Sequence, residues 1–218
     1  MSILNPYQGK CIIKYGIPNA DNEIDQKDWI WPEADHGGWI IPKNDWINTH
    51  SKSWFRHVKK YDLAVQAGGC CGMYPRLLAE KFQVVYTFEP SPLNFYCLVN
   101  NCQEDNIVKI QAALGHTPAS IQLQINEGNV GMNKIKYELG YFPIVTLDSF
   151  DLPACDLIAF DLEETEHSAI CGAFQTIERH KPVIIVENGD KHGIPDLMRQ
   201  MGYASHDKSG MDVIYVKP

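Results

Sequence analysis

From residue 62 onward, short apolar runs alternate with stretches of helical spacing. "DLAVQA" (62–67), "VVYTF" (84–88), "IVKIQAAL" (107–114), "CDLIAFDL" (155–162) and "PVIIVE" (182–187) have the length and composition of buried strands. Between them, "MYPRLLAEKF" (73–82) reads as a helix whose Pro75 is tolerated in the first turn. "SPLNFYCLVNNCQED" (91–105) reads as another, with Ser91 as N-cap and Pro92 at its first position. "TEHSAICGAFQTIERH" (165–180) is amphipathic and predicts one helix, and "IPDLMRQMG" (194–202) predicts a further one. "SIQLQINE" (120–127) alternates at period two, as a half-exposed antiparallel strand does, and "PIVTLDSF" (143–150) predicts a short strand. At the end, "YASHD" and "DVIYVK" flank the turn "KSG" and predict a hairpin. Strands alternating with helices imply a parallel, doubly wound α/β sheet, to which the hairpin adds an antiparallel strand.

Residues 1–60 differ. All five tryptophans (Trp29, Trp31, Trp39, Trp46, Trp54) lie there and none follows. The division expected is a Trp-rich leader or cap over 1–60 and a core domain over 61–218. Two readings of the leader stay open, a lid or substrate platform and a structural cap across one face of the core.

Composition narrows the function classes. With 218 residues and an ordinary apolar fraction, a folded domain is expected. A net charge of −8 argues against wrapping nucleic acid non-specifically. No apolar run approaches the roughly 20 residues of a membrane span, and "MSILNPYQGK" lacks the features of a secretion signal. Seven cysteines with no CxxC pair suggest reduced thiols in a cytoplasmic protein, with neither a disulfide framework nor a zinc ribbon. "NPY" at 5–7 matches a short motif of amino-methylating DNA enzymes, but it does not follow the fourth core strand and carries no weight.

The candidate chemistry begins at "VQAGGCCGMY" (65–74). Gly68, Gly69 and Gly72 follow the first core strand, where glycines let the backbone approach a ligand and the next helix points free amides at it. The G-G-x-x-G spacing does not fit the dinucleotide fingerprint GxGxxG. Glu89, 21 positions after Gly68, stands where an acid takes the two hydroxyls of a ribose. Its two oxygens suit vicinal hydroxyls; the plain alternative is an exposed strand-end carboxylate. Glycine loop and acid together point to an adenosine-type cofactor.

These stretches, with "VYTFEPSPLNFYCLVNN", "QAALG", "GNVGMNKI", "VTLDSFDLPACDLIAFDLEETEHSAICGA" and "ERHKPVIIVE" in this order, resemble the FkbM-type methyltransferases from about residue 61 to the end. The resemblance implies a Rossmann-like class I methyltransferase fold, with a seven-stranded, mostly parallel sheet and an antiparallel C-terminal hairpin. It implies S-adenosylmethionine at Gly68, Gly69, Cys70 and Gly72, with Gln66 before them, at Glu89 and Pro90, and at Ala113. It further implies methyl transfer, mostly to hydroxyl groups, with a functional cluster around 160–173. Three positions depart from the family pattern: Gln66 stands for an Asp, Cys70 for an Asn, and Glu164 for a Gly. An amide at 66 lacks the charge that attracts a cofactor amino group.

Within the cluster, Asp161 or Glu163 is the candidate proton acceptor or acceptor-positioning group, with Glu166 and His167 in support. The plain alternative is that these acids are favoured by the helix macrodipole and that Thr165 caps the helix. No metal is expected, because no ligand spacing stands out. Glu187, His192 and His36 are further candidates to line an acceptor site. The expected acceptor is a small molecule or a glycan; enzymes of this fold and size often pair, so a homodimer is one expectation. Two other classes stay open: a non-catalytic binding or structural relative, and an NAD-linked oxidoreductase, against which the glycine spacing speaks.

Overall fold

The computed structural model describes residues 11–14, 29–36, 51–126 and 128–218. Trp39, Trp46 and the "NPY" tripeptide lie outside them. Two short strands of the leader, β1 (Cys11–Lys14) and β2 (Trp29–Pro32), pair antiparallel. The core then runs β3 (Leu63–Ala67), α1 (Met73–Ala79), β4 (Val84–Phe88), α2 (Pro92–Asn101) and β5 (Ile107–Ile110). The short strands β6 (Ala113–Leu114), β7 (Ala119–Gln124), β8 (Lys134–Lys136) and β9 (Phe142–Val145) follow. β10 (Leu157–Phe160), α3 (Glu166–Cys171), α4 (Phe174–His180), β11 (Val183–Glu187), α5 (Ile194–Gln200), β12 (Ala204–Ser209) and β13 (Asp212–Val216) complete the chain.

Seven strands form the main sheet in the order β12-β13-β11-β10-β3-β4-β5. β13 is antiparallel to both its neighbours, and every other adjacent pair is parallel. The chain leaves β3 towards β4 and β5, then crosses back to β10 on the other side. Strand order therefore reverses between β3 and β10, which opens a crevice at their carboxyl ends.

Both faces of this sheet are covered, which explains why its strands read as unbroken apolar runs. Along β10, Leu157 and Ala159 join the core with Leu78, Leu98 and Trp54, while Ile158 and Phe160 face the one with Ile170, Ile177 and Met198. Trp54 is 3% exposed, stacks on Tyr74 at 5.0 Å and donates its indole N–H to Asp212 at 3.0 Å. Trp29 and Trp31 pack with Cys71, Met73, Cys97 and Val130 in a separate cluster. All seven cysteines are free; Cys11 and Cys97 bring their sulfurs to 3.6 Å.

Three elements differ from the pattern-based reading. "IVKIQAAL" is not one strand: β5 stays in the main sheet, while β6 joins β9 in a four-stranded sheet, β6-β9-β7-β8. "PIVTLDSF" ends as a strand at Val145 and continues as a 3-10 turn, Leu147–Phe150. The helix expected over 165–180 is broken. Gly172 lies so close to Gly115 that a Cβ would stand 2.0 Å from that carbonyl oxygen, and Asp148 supplies a cap from outside the helix. Its carboxylate accepts from the amides of Gln175 at 3.0 Å and Thr176 at 2.8 Å, starting α4 afresh.

Candidate active site

The loops after β3, β4, β10 and β11 meet at the crevice. Their approach is fixed by the parallel ladder continuing past the strand ends. The amides of Gly68 and Gly69 both donate to the Phe88 carbonyl, at 3.0 and 2.9 Å, and the Asp161 amide donates to that of Ala67 at 3.1 Å. Gly68 has φ +87°, and a Cβ on it would lie 1.9 Å from the Asp161 carbonyl oxygen. Only glycine lets these two loops come this close.

On one side of the cleft stand Gly68, Gly69, Cys70, Glu89, Pro90 and Ala113. Glu89 is 5% exposed, and two amides hold its carboxylate: Cys70 N donates to Oε2 and Ser91 N to Oε1, each at 2.8 Å. Each oxygen keeps lone-pair capacity for a further donor. Burial pushes this carboxyl up to about 7, against the opposing pull of the two amides. Cys70 takes φ +44°, turning the loop so that its amide meets Glu89.

Gln66 and Gly72 do not line the cleft. Gln66 is buried beneath the loop, donating to the Gly68 carbonyl at 2.9 Å and accepting from the Thr87 hydroxyl at 2.8 Å. It braces the glycine turn from behind. Gly72 sits at the start of α1, with φ +100° and its α-carbon against Cys102 and α2.

On the other side stand Asp161, Glu163 and Glu187. Each brings a carboxylate oxygen within 4.8 Å of the other two, an arrangement able to hold a divalent cation. The sequence offers no spacing for such a set, because Glu187 comes from a neighbouring strand. Burial and then the charge of Glu187 push the Asp161 carboxyl well above its ordinary value; the same two causes push Glu163 up to about 7. Tyr74 faces this group, its hydroxyl held above the usual range by burial and by Asp212, Asp161 and Glu187.

Glu166 is 3% exposed and folds back to accept from the Leu162 amide at 3.0 Å, closing the turn before α3. Burial raises its carboxyl. Thr165 precedes α3 without capping it; its hydroxyl donates to the Leu162 carbonyl at 3.1 Å. Glu163 and Glu164 both have positive φ, +53° and +81°, so the turn keeps a glycine-like backbone at the cost of strain. Glu164 points outward to Lys134 at 2.8 Å. His36, His167 and His192 are exposed and do not line the cleft.

Several cleft residues escaped the sequence reading: Tyr74, Asn94, Val130 and Asp212. Trp31 comes from the leader and Val130 from the short 3-10 turn Val130–Met132. Asp35, also in the leader, joins them, accepting from the Trp31 indole at 2.6 Å and the Val130 amide at 3.0 Å. "GNVGMNKI" and the reading of the Trp-rich leader as a lid or substrate platform were the hints of this wall.

The strand order, the reversed final strand and the cleft at the switch point define a Rossmann-like class I methyltransferase fold. The family model of the FkbM methyltransferase domain matches residues 69–205, more than half of the chain, and the protein belongs to that family. Among solved structures, methyltransferase FkbM from Methylobacillus flagellatus KT is similar over 71% of this chain and 43% of that one, at 18% identity and a TM-score of 0.50. This chain thus spans less than half the length of that relative. Also similar are magnesium protoporphyrin IX methyltransferase from Synechocystis PCC 6803 (9% identity, 80% and 79% covered, TM-score 0.49) and an rRNA methylase from Streptococcus thermophilus (12%, 80% and 97%, 0.48). No curated protein matches the sequence. No helix among the described residues is long and apolar enough to cross a membrane.

Proposed function

We propose that this chain is an S-adenosylmethionine-dependent methyltransferase acting on a hydroxyl of a small molecule or a glycan. The observation that carries the reading is the meeting of the glycine turn and Glu89 on one wall of the cleft, with three carboxylates opposite. The residues fit such a cofactor: Gly68 leaves backbone open to the cleft, and Glu89 is oriented with acceptor capacity to spare. When bound, S-adenosylmethionine supplies an activated methyl group on a sulfonium.

Gly68, Gly69 and Cys70 would hold the amino-acid end, and Glu89 the sugar hydroxyls. Asp161 and Glu163 stand where an acceptor hydroxyl can be oriented. A carboxyl near neutrality, as Glu163 is, matches a group that takes a proton from an alcohol at working pH. Glu187 assists by keeping its neighbours' proton affinity high. Trp31 of the leader lines the cleft, so we assign the leader a share in shaping the space around a bound ligand. Positioning supplies much of the acceleration in such transfers, which fits a site built from bracing contacts.

Calorimetry with S-adenosylmethionine tests the reading. The wild-type protein is expected to bind, and Glu89→Ala to show no measurable binding while keeping its fold by circular dichroism. Intact affinity in the variant rejects the proposed site.

A further inference from the structure

The seam between the leader and α2 is held by Cys97 and Asn101, four residues apart on one helix face. Asn101 is buried and binds β2 as a neighbouring strand would. Its Nδ2 donates to the carbonyls of Ile30 and Cys71, both at 2.8 Å, and its Oδ1 accepts from the Ile30 amide at 2.7 Å. One turn earlier, Cys97 is fully buried, and its sulfur lies 3.6 Å from that of the half-buried Cys11 in β1. In the β1–β2 pair Cys11 stands opposite Pro32, and Trp31, between Ile30 and Pro32, lines the cleft. The two thiols therefore meet where a cleft-lining segment of the leader joins the core. They are chemically unequal. A hydrogen bond with Cys71 holds the Cys97 thiol below its ordinary value; burial opposes this, and a hydrogen bond with Cys11 adds to it. Burial, and then the charge of Cys97, push Cys11 up to about 12. Cys97 is thus the partner that forms a thiolate, and Cys11 the thiol that follows it.

We propose that Cys11 and Cys97 form an oxidisable dithiol, a modification site whose disulfide clasps the leader onto the core and fixes Trp31 in the cleft wall. The oxidant is a peroxide. The Cys97 sulfur attacks one peroxide oxygen, the O–O bond breaks, and the departing hydroxide takes the thiol proton and leaves as water. The Cys11 sulfur then attacks the resulting sulfenic acid. The S–S bond forms, the S–O bond breaks, and the Cys11 proton leaves with the hydroxide as a second water. Two electrons pass from the pair of thiols to the peroxide. The sulfurs need to approach by about 1.5 Å to reach bonding distance, a small shift for a four-residue strand paired only with β2. Because β1 pairs with β2, a bond from Cys11 to α2 ties both strands down. The proposal concerns how the leader is held, and it stands apart from what the cleft binds.

The test is treatment of the full, reduced chain with hydrogen peroxide, followed by mass spectrometry of its unreduced peptides. A cross-linked Cys11–Cys97 peptide is expected. In the oxidised chain, the Ile30 amide is expected to exchange its hydrogen about tenfold more slowly than in the reduced chain. In Cys11→Ser, treated in the same way, neither change is expected. Cys97 linked to Cys71 instead, or Cys11 and Cys97 both left as thiols, overturns the proposal. So does a Cys11–Cys97 disulfide that leaves exchange at Ile30 unchanged, since that bond clasps nothing. The peptide map and the exchange measurement on the wild-type chain decide the matter without the variant, should Cys11→Ser fail to fold.

Discussion

The two walls of the cleft hold their carboxylates in opposite ways. Glu89 is buried, but a backbone amide answers each of its oxygens. Asp161 and Glu163 are pressed towards Glu187, and the like charge adds to burial in raising both. The first arrangement is satisfied and rigid, suited to presenting acceptors to a ligand. The second is frustrated, and a proton, a cation or a substrate hydroxyl relieves it. Groups tuned in this second way are the ones to expect at a reacting centre.

Substitutions break or sharpen that contrast. The largest effect is expected at the seam between the walls. Gly68→Ala forces a Cβ to within 1.9 Å of the Asp161 carbonyl oxygen at a φ of +87°. A loss of about 3 kcal/mol or more is expected, read from the shift of the urea unfolding midpoint. Next comes Glu89→Gln, which points an amide NH₂ at the N–H of either Cys70 or Ser91. Leaving a buried donor unmatched is expected to cost about 1–3 kcal/mol, measured in the same way.

Glu163→Gln is expected to act in the opposite sense. Burial raises both carboxyls to about 7, but backbone amides bind Glu89 and would be left unmatched, whereas none lowers Glu163. The Glu163 carboxyl has an ordinary value of 4.5 and is raised to about 7 in the folded chain. Its contribution to stability is full below 4.5 and is lost as pH rises through about 7. The wild-type Tm therefore falls between pH 5 and pH 8, and the variant, with no charge to gain, falls less. At pH 8 the variant is expected to melt roughly 2–4 °C above wild type. If neutralising Glu89 and neutralising Glu163 shift stability in the same direction at pH 8, the distinction between the walls is wrong.

The smallest effect is expected at Glu164, outside the cleft. Glu164→Gly removes the strain of φ +81° and gives up only an exposed pair with Lys134. A rise in Tm of roughly 2 °C is expected, with ligand affinity unchanged by calorimetry.

The strands of the main sheet, the glycine turn after β3 and the acid after β4 were legible in the chain. Each is a local signal: an apolar run between two covered faces, a backbone that admits only glycine, a carboxylate at a strand end. Legibility failed where a distant contact overrides a local pattern. The apolar run 107–114 gives no sign that Ala113 and Leu114 leave for another sheet. Residues 165–180 keep their helical spacing across a break that Gly115 and Asp148 impose from elsewhere, with Gly172 the one visible hint. Glu166, placed by sequence among the reacting acids, spends its carboxylate on the Leu162 amide.

By itself, the sequence determined the alternation of strand and helix, hence a doubly wound sheet, and the position along the chain of the glycine loop and the acid that line its cleft. Only the tertiary structure decided that Glu187 joins Asp161 and Glu163, and that Trp31 lines the cleft with Asp35 bonded to it. Periodicity reports which face of an element is buried, because burial repeats with the geometry of helix and strand. It does not report what the buried face meets, because that follows from strand order and from contacts between residues far apart in the chain.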